Sequence, residues 1–377
     1  MMKRVLICRE NDPAETRVAM LPNDIKKLSA MGYEFSVVSQ AGAKSGASDS
    51  DYEKAGARIV KNETEGLADA EIVLRIMKNE DTDGLKAGML QLSYLDPWNS
   101  GELLKRLADK GVMAVSLEMI PRSTLAQKMD VQSSQTSLAG YTAVINAAAR
   151  LNKIMPMMVT PSGTIDPARV FVIGVGVAGL QAIATAKRLG ARVDAFDTRP
   201  DVEEQVRSLG ASFVKIDLGE MGQTDQGYAK ELTPEQIKKQ QEAQAKVCER
   251  SDIVITTAKV FGRRAPRLIS KDVISKMKPG AVIVDMAAGS GGNVEGSKPF
   301  EDVVFDNGVT VMSGELLERQ VPYDASKMLS GNFSAFLTHF YDKEQGGLTV
   351  DLNDEIMKGC LITKDGRIIH ERFREGE

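Results

Sequence analysis

One glycine-rich stretch constrains the fold of this chain more than any other segment. It runs from Ala168 to Pro200 and reads ARVFVIGVGVAGLQAIATAKRLGARVDAFDTRP. A short β-branched and aromatic run predicts a buried strand, and Gly174, Gly176 and Gly179 follow it in the GxGxxG spacing. The stretch therefore predicts a strand, a tight turn and a helix start, followed by a second strand.

The three glycines have different uses at a pyrophosphate. Gly174 permits the turn, Gly176 lets the backbone approach the phosphates, and Gly179 lets the helix pack closely on the strand. Val175 and Val177 complete this loop, because the helix N-terminus faces the phosphates. An isolated GxGxxG also occurs in ordinary turns, but here it coincides with a preceding strand, a following helix, a second strand and a terminal acid. We interpret the stretch as a dinucleotide-binding unit.

The residues after the second predicted strand indicate which dinucleotide is bound. Asp197 stands at the carboxyl end of that strand, and an acid there suits a ribose with two free hydroxyls. Its carboxylate would also repel a 2′-phosphate. Arg199, two positions on and separated from Asp197 by Thr198, is the opposing signal, because an arginine near this position can hold that phosphate. We weigh Asp197 more heavily and predict NAD(H).

Length, charge and cysteine usage exclude several other classes of protein. The 377 residues are enough for two domains, and 48 basic against 52 acidic residues, without a basic block, argue against nucleic acid as a partner. Cys8, Cys248 and Cys360 are odd in number and widely spaced, so neither a disulfide framework nor a metal site is indicated. No apolar run reaches the roughly 18 residues that span a bilayer. We expect a soluble chain in a reducing compartment.

Predicted strands and helices alternate along the first 120 residues. A first helix is predicted from Asn23, its cap, to Met31, and others follow at the same cadence. Alternation of this kind implies parallel βαβ units in an open, doubly wound sheet. The predicted strands are Arg4–Cys8, Glu34–Val38, Glu71–Met77, Met89–Leu95 and Val112–Leu117.

A long alanine-rich helix, predicted from Val131 to Leu151 and interrupted by Gly140, joins two lobes of this kind. The proline-containing segment from Ile154 to Pro167 is predicted to be a linker. Near the C-terminus, Asp365-Gly366 between β-branched runs predicts a hairpin in a tail that returns to the first lobe. The expected fold class is α/β, with two Rossmann-like, doubly wound lobes flanking a nucleotide cleft. The expected domains are 1–130, completed by about 324–377, and 131–323, which holds the linking helix and the NAD(H)-binding lobe.

Three segments carry a more specific resemblance: RSTLAQKMD, SSQTSLAGYTAV and MMVTPSGTIDPARVFVIGVGVAGLQAIATAKRLGA. They resemble the NAD(H)-binding component, domain I of the alpha subunit, of proton-translocating nicotinamide nucleotide transhydrogenase. The resemblance covers nearly the whole chain and is strongest from Leu117 to Ala211. It implies hydride exchange between NADH on this chain and NADP⁺ on a separate polypeptide, coupled to proton movement through a membrane subunit.

The resemblance also implies roles for residues before the long helix. In that family a loop carrying arginine, glutamine and aspartate lies beside the nicotinamide. These residues match Arg122, Gln127 and Asp130, with Ser133 just after, and they are the implied catalytic residues. From spacing alone, the segment reads equally well as the cap of the long helix, with Asp130 as its N-cap.

Four further residues are implied to lie near the nucleotide. The segment from Gly219 to Gln236 resembles a family loop that closes over bound nucleotide, with Gly227 and Tyr228 at the matching position. The resemblance brings Gln240 and Lys259 to the same site. Without it, the segment is a solvated connection and Gln240 lies on a solvated helix face, whereas Lys259 follows the carboxyl end of a predicted strand.

Two alternative functions remain open at this point. Alanine dehydrogenase, a relative with the same two-lobed plan and a similar AETRVAMLP opening, uses a lysine, a histidine and an aspartate. The matching positions here hold Arg75, Asp96 and Gly289, which disfavours amino-acid oxidation. Gly289 also departs from the acid expected in the transhydrogenase family. The other alternative is a non-catalytic NAD sensor. Hydride transfer between two nicotinamide rings needs no protein proton relay, which suits a chain whose two histidines lie far from the glycine loop.

One dinucleotide fingerprint and no membrane span imply that this chain cannot complete the family's reaction alone. The implied enzyme is a proton-translocating, Re/Si-specific NAD(P)⁺ transhydrogenase, active only with partner subunits. Those partners are an NADP(H)-binding subunit and a membrane-spanning subunit. The chain is expected to be a homodimer, cytoplasmic, and held at the inner face of the cell membrane through its partners.

Overall fold

The computed structural model describes residues 2–216, 233–259 and 262–374. The chain divides into two compact units: unit 1 comprises Met1–Gln135 and Arg319–Glu377, and unit 2 comprises Thr136–Glu318. Each unit is built around its own sheet.

Helices and strands alternate through both units. The N-terminal third of the chain contains β1 (Arg4–Ile7), α1 (Pro22–Ser29), β2 (Glu34–Val38), α2 (Asp49–Lys54), β3 (Arg58–Val60), α3 (Glu63–Leu67), β4 (Ile72–Leu74), β5 (Leu90–Ser93), α4 (Gly101–Asp109), β6 (Met113–Ser116) and α5 (Val131–Arg150). The middle of the chain contains β7 (Met158–Thr160), β8 (Gly163–Ile165), β9 (Arg169–Ile173), α6 (Val177–Arg188), β10 (Arg192–Phe196), α7 (Glu203–Ser208), β11 (Ser212–Phe213), α8 (Pro234–Arg250), β12 (Ile253–Thr256), α9 (Lys271–Ser275), β13 (Val282–Asp285), β14 (Val303–Val304) and β15 (Thr310–Ser313). The C-terminal segment contains α10 (Pro322–His339), β16 (Tyr341–Asp342), β17 (Gly347–Leu348), α11 (Glu355–Cys360), β18 (Leu361–Lys364) and β19 (Arg367–Ile368). Short 3₁₀ turns cover Ala43–Ser45, Leu117–Met119, Gln127–Met129, Pro200–Val202, Ala288–Ser290 and Leu317–Gln320.

The sheet of unit 1 has the strand order β19-β18-β6-β5-β4-β1-β2-β3. The strands from β6 to β3 are parallel, whereas β18 pairs antiparallel with β6 and β19 antiparallel with β18. Asp365 and Gly366 join β18 to β19 with φ angles of +51° and +79°, the left-handed pair that a two-residue hairpin turn requires. The hairpin predicted at these two residues is confirmed.

The sheet of unit 2 has the strand order β11-β10-β9-β12-β13-β15-β14. All neighbouring pairs are parallel except β14 with β15. Counted from β9 as the first strand, the six parallel strands follow the order 3-2-1-4-5-6, and this order reverses between β9 and β12. In open α/β sheets, ligands bind at the carboxyl ends of the strands beside such a reversal.

Strand β9 is buried on both faces, which explains its uninterrupted apolar sequence. Val170 and Val172 belong to a core cluster that includes residues of α5 and α6, and Phe171 and Ile173 belong to a second cluster that includes residues of α8 and α9. The predicted fold class, α/β with Rossmann-like parallel sheets, is confirmed.

Three local predictions were wrong. Helix α1 begins at Pro22 with Leu21 as its N-cap, so Asn23 is not the cap, because proline is preferred at the first helical position. The helix after Gly179, predicted to run from Leu180 to Leu189, is α6 and begins at Val177, three residues earlier. The predicted linker from Ile154 to Pro167 contains the antiparallel hairpin of β7 and β8.

Among the helices of the described residues, none combines the length and apolar character that crossing a membrane requires. In the same ranges, no group of three or more His, Cys, Asp or Glu side chains is arranged to hold a metal ion.

Candidate nucleotide-binding site

Two glycines of the GxGxxG loop are required by the packing of unit 2. Gly174 has a φ of +96°, and a Cβ there would lie 2.4 Å from Thr257 Oγ1. A Cβ on Gly179 would lie 2.0 Å from the carbonyl oxygen of Gly174. A side chain at either position would therefore force the turn or the helix away from the sheet.

Gly176 differs, because neither packing nor backbone conformation requires a glycine there. Its φ of −83° and ψ of −164° are open to other residues, and a Cβ would meet no atom of the described residues within 4 Å. Gly176 is also the N-cap of α6, so it leaves the first backbone N–H groups of this helix without a side-chain cap. Bare backbone at an uncapped helix N-terminus fits the approach of a phosphate group.

Asp197 organises the loop and also binds the neighbouring arginine. Its side chain is 9% exposed, and Oδ2 accepts a hydrogen bond of 2.7 Å from the N–H of Val175. Arg199 donates to both carboxylate oxygens, from Nε at 3.0 Å and from Nη2 at 2.9 Å, and Nη2 also donates to the carbonyl of Val175 at 3.1 Å. Thr198 is half-buried between them. Because its charge is neutralised by Asp197, Arg199 is a poor receptor for a 2′-phosphate, which favours NAD over NADP.

The end of β13 carries two buried polar residues that sequence reasoning missed. Asp285 is fully buried and accepts hydrogen bonds of 3.0–3.2 Å from the N–H groups of Ala287, Asn293 and Val294. Asn293 Nδ2 donates at 2.8 Å to the carbonyl oxygens of Ala258 and Pro266. The turn after β13 thereby supports the segment after β12. The sequence signal for this buried polar pair is Asp285 itself, an acid as the last residue of an apolar strand.

The remaining predicted residues of unit 2 have different environments. Lys259 is exposed just beyond the carboxyl end of β12. Gln240 is only 6% exposed, so its interpretation as part of a solvated helix face was wrong. Gly227 and Tyr228 lie outside the described residues, as does most of the predicted loop around them.

The four implied catalytic residues lie together in unit 1, at the junction between a loop and α5. Asp130 accepts hydrogen bonds from the N–H of Ser133 at 2.9 Å and from its Oγ at 2.6 Å, so it caps α5. Arg122 Nη2 donates to Gln132 Oε1 at 3.2 Å, and Gln127 is exposed in a 3₁₀ turn. The capping role of Asp130 is therefore observed, and the catalytic roles stay predictions.

The sheet of unit 1 has the same parallel strand order but different chemistry where the order reverses, between β1 and β4. The segment after β1 reads CREND, without a glycine loop. Glu10 accepts hydrogen bonds from the N–H groups of Ile76 at 2.7 Å and Met77 at 3.1 Å. Burial raises the pKa of the Glu10 carboxyl, although these hydrogen bonds lower it. An internal carboxylate thus takes up backbone donors at the strand-order reversal of unit 1, where unit 2 has its glycine loop.

The residues at the alanine dehydrogenase positions of unit 1 are engaged in ion pairs. Arg75 has a side chain that is 2% exposed and pairs with Glu63. Asp96, with a φ of +48°, accepts from Lys78 Nζ at 3.3 Å. Neither residue type supplies the lysine or histidine that the alternative function uses.

The fold and the glycine loop define the class of protein. Unit 2 is a Rossmann-type dinucleotide-binding domain, with a parallel sheet in the expected order, a glycine-rich turn after its first strand and an acid after its second. The family models described as the N-terminal and C-terminal domains of alanine dehydrogenase/PNT match residues 6–139 and 143–371. The chain belongs to the alanine dehydrogenase/PNT family.

Individual relatives refine this result. The chain is 41% identical to an NAD(P) transhydrogenase alpha subunit of Rhodospirillum rubrum, over 97% of this chain and 98% of that protein. It is 30% identical to the alanine dehydrogenase of Halomonas elongata, over 99% and 96% of the two chains. The crystal structure of transhydrogenase from Sinorhizobium meliloti superimposes with a TM-score of 0.84 at 35% identity, covering 98% of this chain and 99% of that one. The family resemblance noted in the sequence is confirmed.

Proposed function

We propose that this chain is the NAD(H)-binding alpha subunit of a proton-translocating transhydrogenase. The observation that carries the proposal is Gly176, where the described residues give no reason for a bare backbone and the bare backbone suits a pyrophosphate. The engagement of Arg199 by Asp197 supports NAD(H) as the nucleotide. The names of the relatives supply the reaction, since the alpha subunits are more similar to this chain than the alanine dehydrogenase is.

Different residues of unit 2 bind different parts of the nucleotide. The N–H groups of Gly176 and Val177, at the start of α6, hold the pyrophosphate, while the N–H of Val175 donates to Asp197 and fixes the loop. Asp197 accepts the adenosine-ribose hydroxyls. Gln240 and Lys259 approach the same nucleotide, and Gly227 and Tyr228, which lie outside the described residues, are further candidate binding residues. Bound NAD(H) supplies the ring that gives or takes a hydride. Functionally, residues 131–323 then form the NAD(H) domain, and 1–130 with 324–377 form the other.

The loop of unit 1 orients the nicotinamide in this proposal. Gln127 and Asp130 suit a carboxamide, because an amide and a carboxylate can accept its N–H₂ hydrogens, and Arg122 and Ser133 hold the loop in shape. NADP(H) is bound by a separate subunit, since the described residues contain a single glycine-rich dinucleotide loop. Proton movement belongs to a membrane-spanning subunit, which would hold this chain at the inner face of the membrane.

The nucleotide site is tested by a matched pair of glycine substitutions. Gly176→Ala should leave the thermal unfolding temperature unchanged within about 2 °C but weaken NADH binding at least tenfold, because the added methyl group occupies the space of the pyrophosphate. Gly179→Ala should lower the unfolding temperature, because its Cβ would meet the carbonyl of Gly174 at 2.0 Å. Isothermal titration calorimetry measures the NADH affinity of each variant, and differential scanning calorimetry measures its unfolding temperature. Unchanged NADH affinity in Gly176→Ala would contradict the site.

The reaction is tested by reducing an NAD analogue with NADPH, with and without a purified NADP(H)-binding partner. Transfer should require the partner, and stereospecifically deuterated substrates should report Re/Si specificity. Gln127→Asn should slow transfer about tenfold with NADH affinity changed less than twofold, because the shortened amide misplaces the ring. NADH oxidation by pyruvate and ammonia would indicate an alanine dehydrogenase instead. Nucleotide binding with no transfer to any partner would indicate a sensor.

A homodimer is also included in the proposal. Hairpin β7–β8 is exposed along both strands and carries apolar side chains, including Met158, Val159 and Ile165, although an isolated two-stranded hairpin is marginal in water. A second copy of the chain would cover it. Light scattering should show a dimer for the native protein and a monomer for Val159→Asp. Val304→Asp, equally exposed on edge strand β14, should leave the dimer intact.

A further inference from the structure

Glu315 fills the space that a side chain at position 289 would occupy. A Cβ on Gly289 would lie 2.7 Å from Glu315 Cδ, and Glu315 Oε2 accepts a hydrogen bond of 2.9 Å from the N–H of Gly289. Gly289 does not have a left-handed φ, so backbone conformation does not require the glycine. The atoms beside position 289 are those of the Glu315 carboxylate, which follows β15 and occupies the space that a side chain at position 289 would take.

The chain after β15 holds this carboxylate close to β13. A Cβ on Gly314 would lie 2.6 Å from Met286 Cα, and its N–H donates to the carbonyl of Asp285 at 2.8 Å. Leu316 follows with a φ of +50°, a costly conformation for a leucine. The chain is closely packed before Glu315 and strained after it. We infer that the carboxylate is kept in this position although the strained backbone lowers local stability.

The place of Glu315 in the sheet relates it to one half of a dinucleotide. A Rossmann sheet binds the two nucleotide halves on either side of the strand-order reversal. Asp197, at the end of β10, marks the adenosine side, so the other half extends over the carboxyl ends of β12, β13 and β15. Glu315 comes two residues after β15 and is half-buried. Among the described residues, no side chain donates a hydrogen bond to its Oε1.

We propose that Glu315 accepts a hydrogen bond from the nicotinamide-riboside half of the bound dinucleotide. Asp197, after β10, binds the adenosine half, and Glu315, beside the ends of β13 and β15, binds the other half. The Glu315 carboxylate occupies the space beside Gly289, which has no side chain. This inference rests on the proposed NAD(H) site and adds a binding residue to it. If Glu315 only stabilised the turn after β13, its replacement would weaken the binding of NADH and of ADP equally.

The test compares a whole dinucleotide with a fragment that lacks nicotinamide riboside. Glu315→Ala and the isosteric Glu315→Gln are titrated with NADH and with ADP, and folding is checked by circular dichroism and thermal unfolding. We expect Glu315→Ala to weaken NADH binding about tenfold, the size of one lost charged hydrogen bond, while ADP affinity changes less than twofold. Glu315→Gln should show a smaller loss in the same direction. Equal losses for NADH and ADP, or no loss for NADH, would overturn the proposal.

A second variant places a carboxylate on the turn after β13, at position 289, and removes the one at position 315. In Gly289→Asp with Glu315→Ala, the space that Glu315 vacates accommodates the new side chain, and NADH affinity should recover to within about threefold of the native value. Failure to recover in a folded double variant would overturn the assignment of this space to a ligand-binding carboxylate. Failure of the native protein to bind NADH would overturn the proposed function itself, whereas native binding with no selective loss would overturn this inference alone.

Discussion

At the scale of single residues, the Asp197–Arg199 pair is the observation that favours NAD over NADP. Oδ1 accepts from the backbone N–H and from Nε of Arg199, and Oδ2 accepts from the N–H of Val175 and from Arg199 Nη2. One carboxylate thus shapes the glycine loop and neutralises the cation that could hold a 2′-phosphate. This pairing supports the prediction of NAD(H), which rests on Asp197 in the sequence, with Arg199 as the opposing signal.

Asp197→Asn should therefore change the nucleotide preference. The amide has no charge to repel a 2′-phosphate and no longer neutralises Arg199, so NADPH affinity should rise about tenfold, equivalent to about 1.4 kcal/mol, while NADH affinity falls. Titration of both nucleotides measures the ratio. The double variant Asp197→Asn with Arg199→Met is the control and should lose the gain for NADPH. An unchanged NADPH affinity in Asp197→Asn would rule out this account of specificity.

At the scale of secondary-structure elements, the packing of α5 against α6 in unit 2 explains a glycine that the sequence showed only as an interruption. A Cβ on Gly140 would lie 2.2 Å from the carbonyl oxygen of Ala178. The two helices can approach this closely because position 140 has no side chain. The helix that follows the glycine loop is held by this contact as well as by Gly179.

Gly140→Ala should therefore destabilise the protein although alanine is the better helix former. We expect a loss of about 2 kcal/mol, because overpacking outweighs a propensity gain of about 1 kcal/mol. Gly331→Ala is the matched control: Gly331 lies in α10, and a Cβ there would meet no atom within 4 Å in the part of the chain that the structure describes. It should stabilise by about 0.5–1 kcal/mol. Urea unfolding of both variants gives the comparison, and a stabilised Gly140→Ala would contradict the close approach.

At the scale of the whole molecule, unit 2 separates its binding residues from a charged cluster that supports its stability. Asp252 precedes β12, at the edge opposite the glycine loop. It accepts hydrogen bonds from the N–H of Arg169 at 2.7 Å, from Lys278 Nζ at 2.7 Å and from Lys153 Nζ at 3.4 Å. Burial raises the pKa of the Asp252 carboxyl, but these hydrogen bonds and the two lysine charges outweigh burial and hold it below its usual range.

The sign of this shift predicts a pH dependence. A carboxyl whose pKa is lower in the folded state contributes stability above its unfolded pKa of about 3.8, and loses it as the pH falls through the folded value. Asp252→Asn should thus lower the free energy of unfolding at pH 7, measured by urea denaturation, by about 1–2 kcal/mol. The difference in this free energy between the variant and the native protein should shrink between pH 4 and pH 3. NADH affinity at pH 7 should stay within twofold. A constant difference down to pH 3 would contradict the assignment.

Much of the site was predictable because its signals are local. The strand before Gly174, the helix after Gly176 and the acid at Asp197 lie within one stretch of the chain, and hydrophobic periodicity with turn chemistry encodes such elements directly. The Asp365-Gly366 turn was predictable for the same reason. Predictions failed where two local signals competed, as when Pro22 started the helix that Asn23 was expected to cap. Strands as short as β14 carry too few residues to show a period.

The sequence by itself determined the class of fold, the family and the dinucleotide loop, because each depends on residues that are near one another along the chain. Only the tertiary structure showed why Gly140 is a glycine, that Glu315 occupies the space beside Gly289, and that Arg199 is neutralised. The atoms that exclude a side chain at position 140 belong to Ala178, and those that fill the space beside Gly289 belong to Glu315. Which distant residue comes to occupy such a space depends on how the strands and helices pack, and periodicity along the chain does not carry that information.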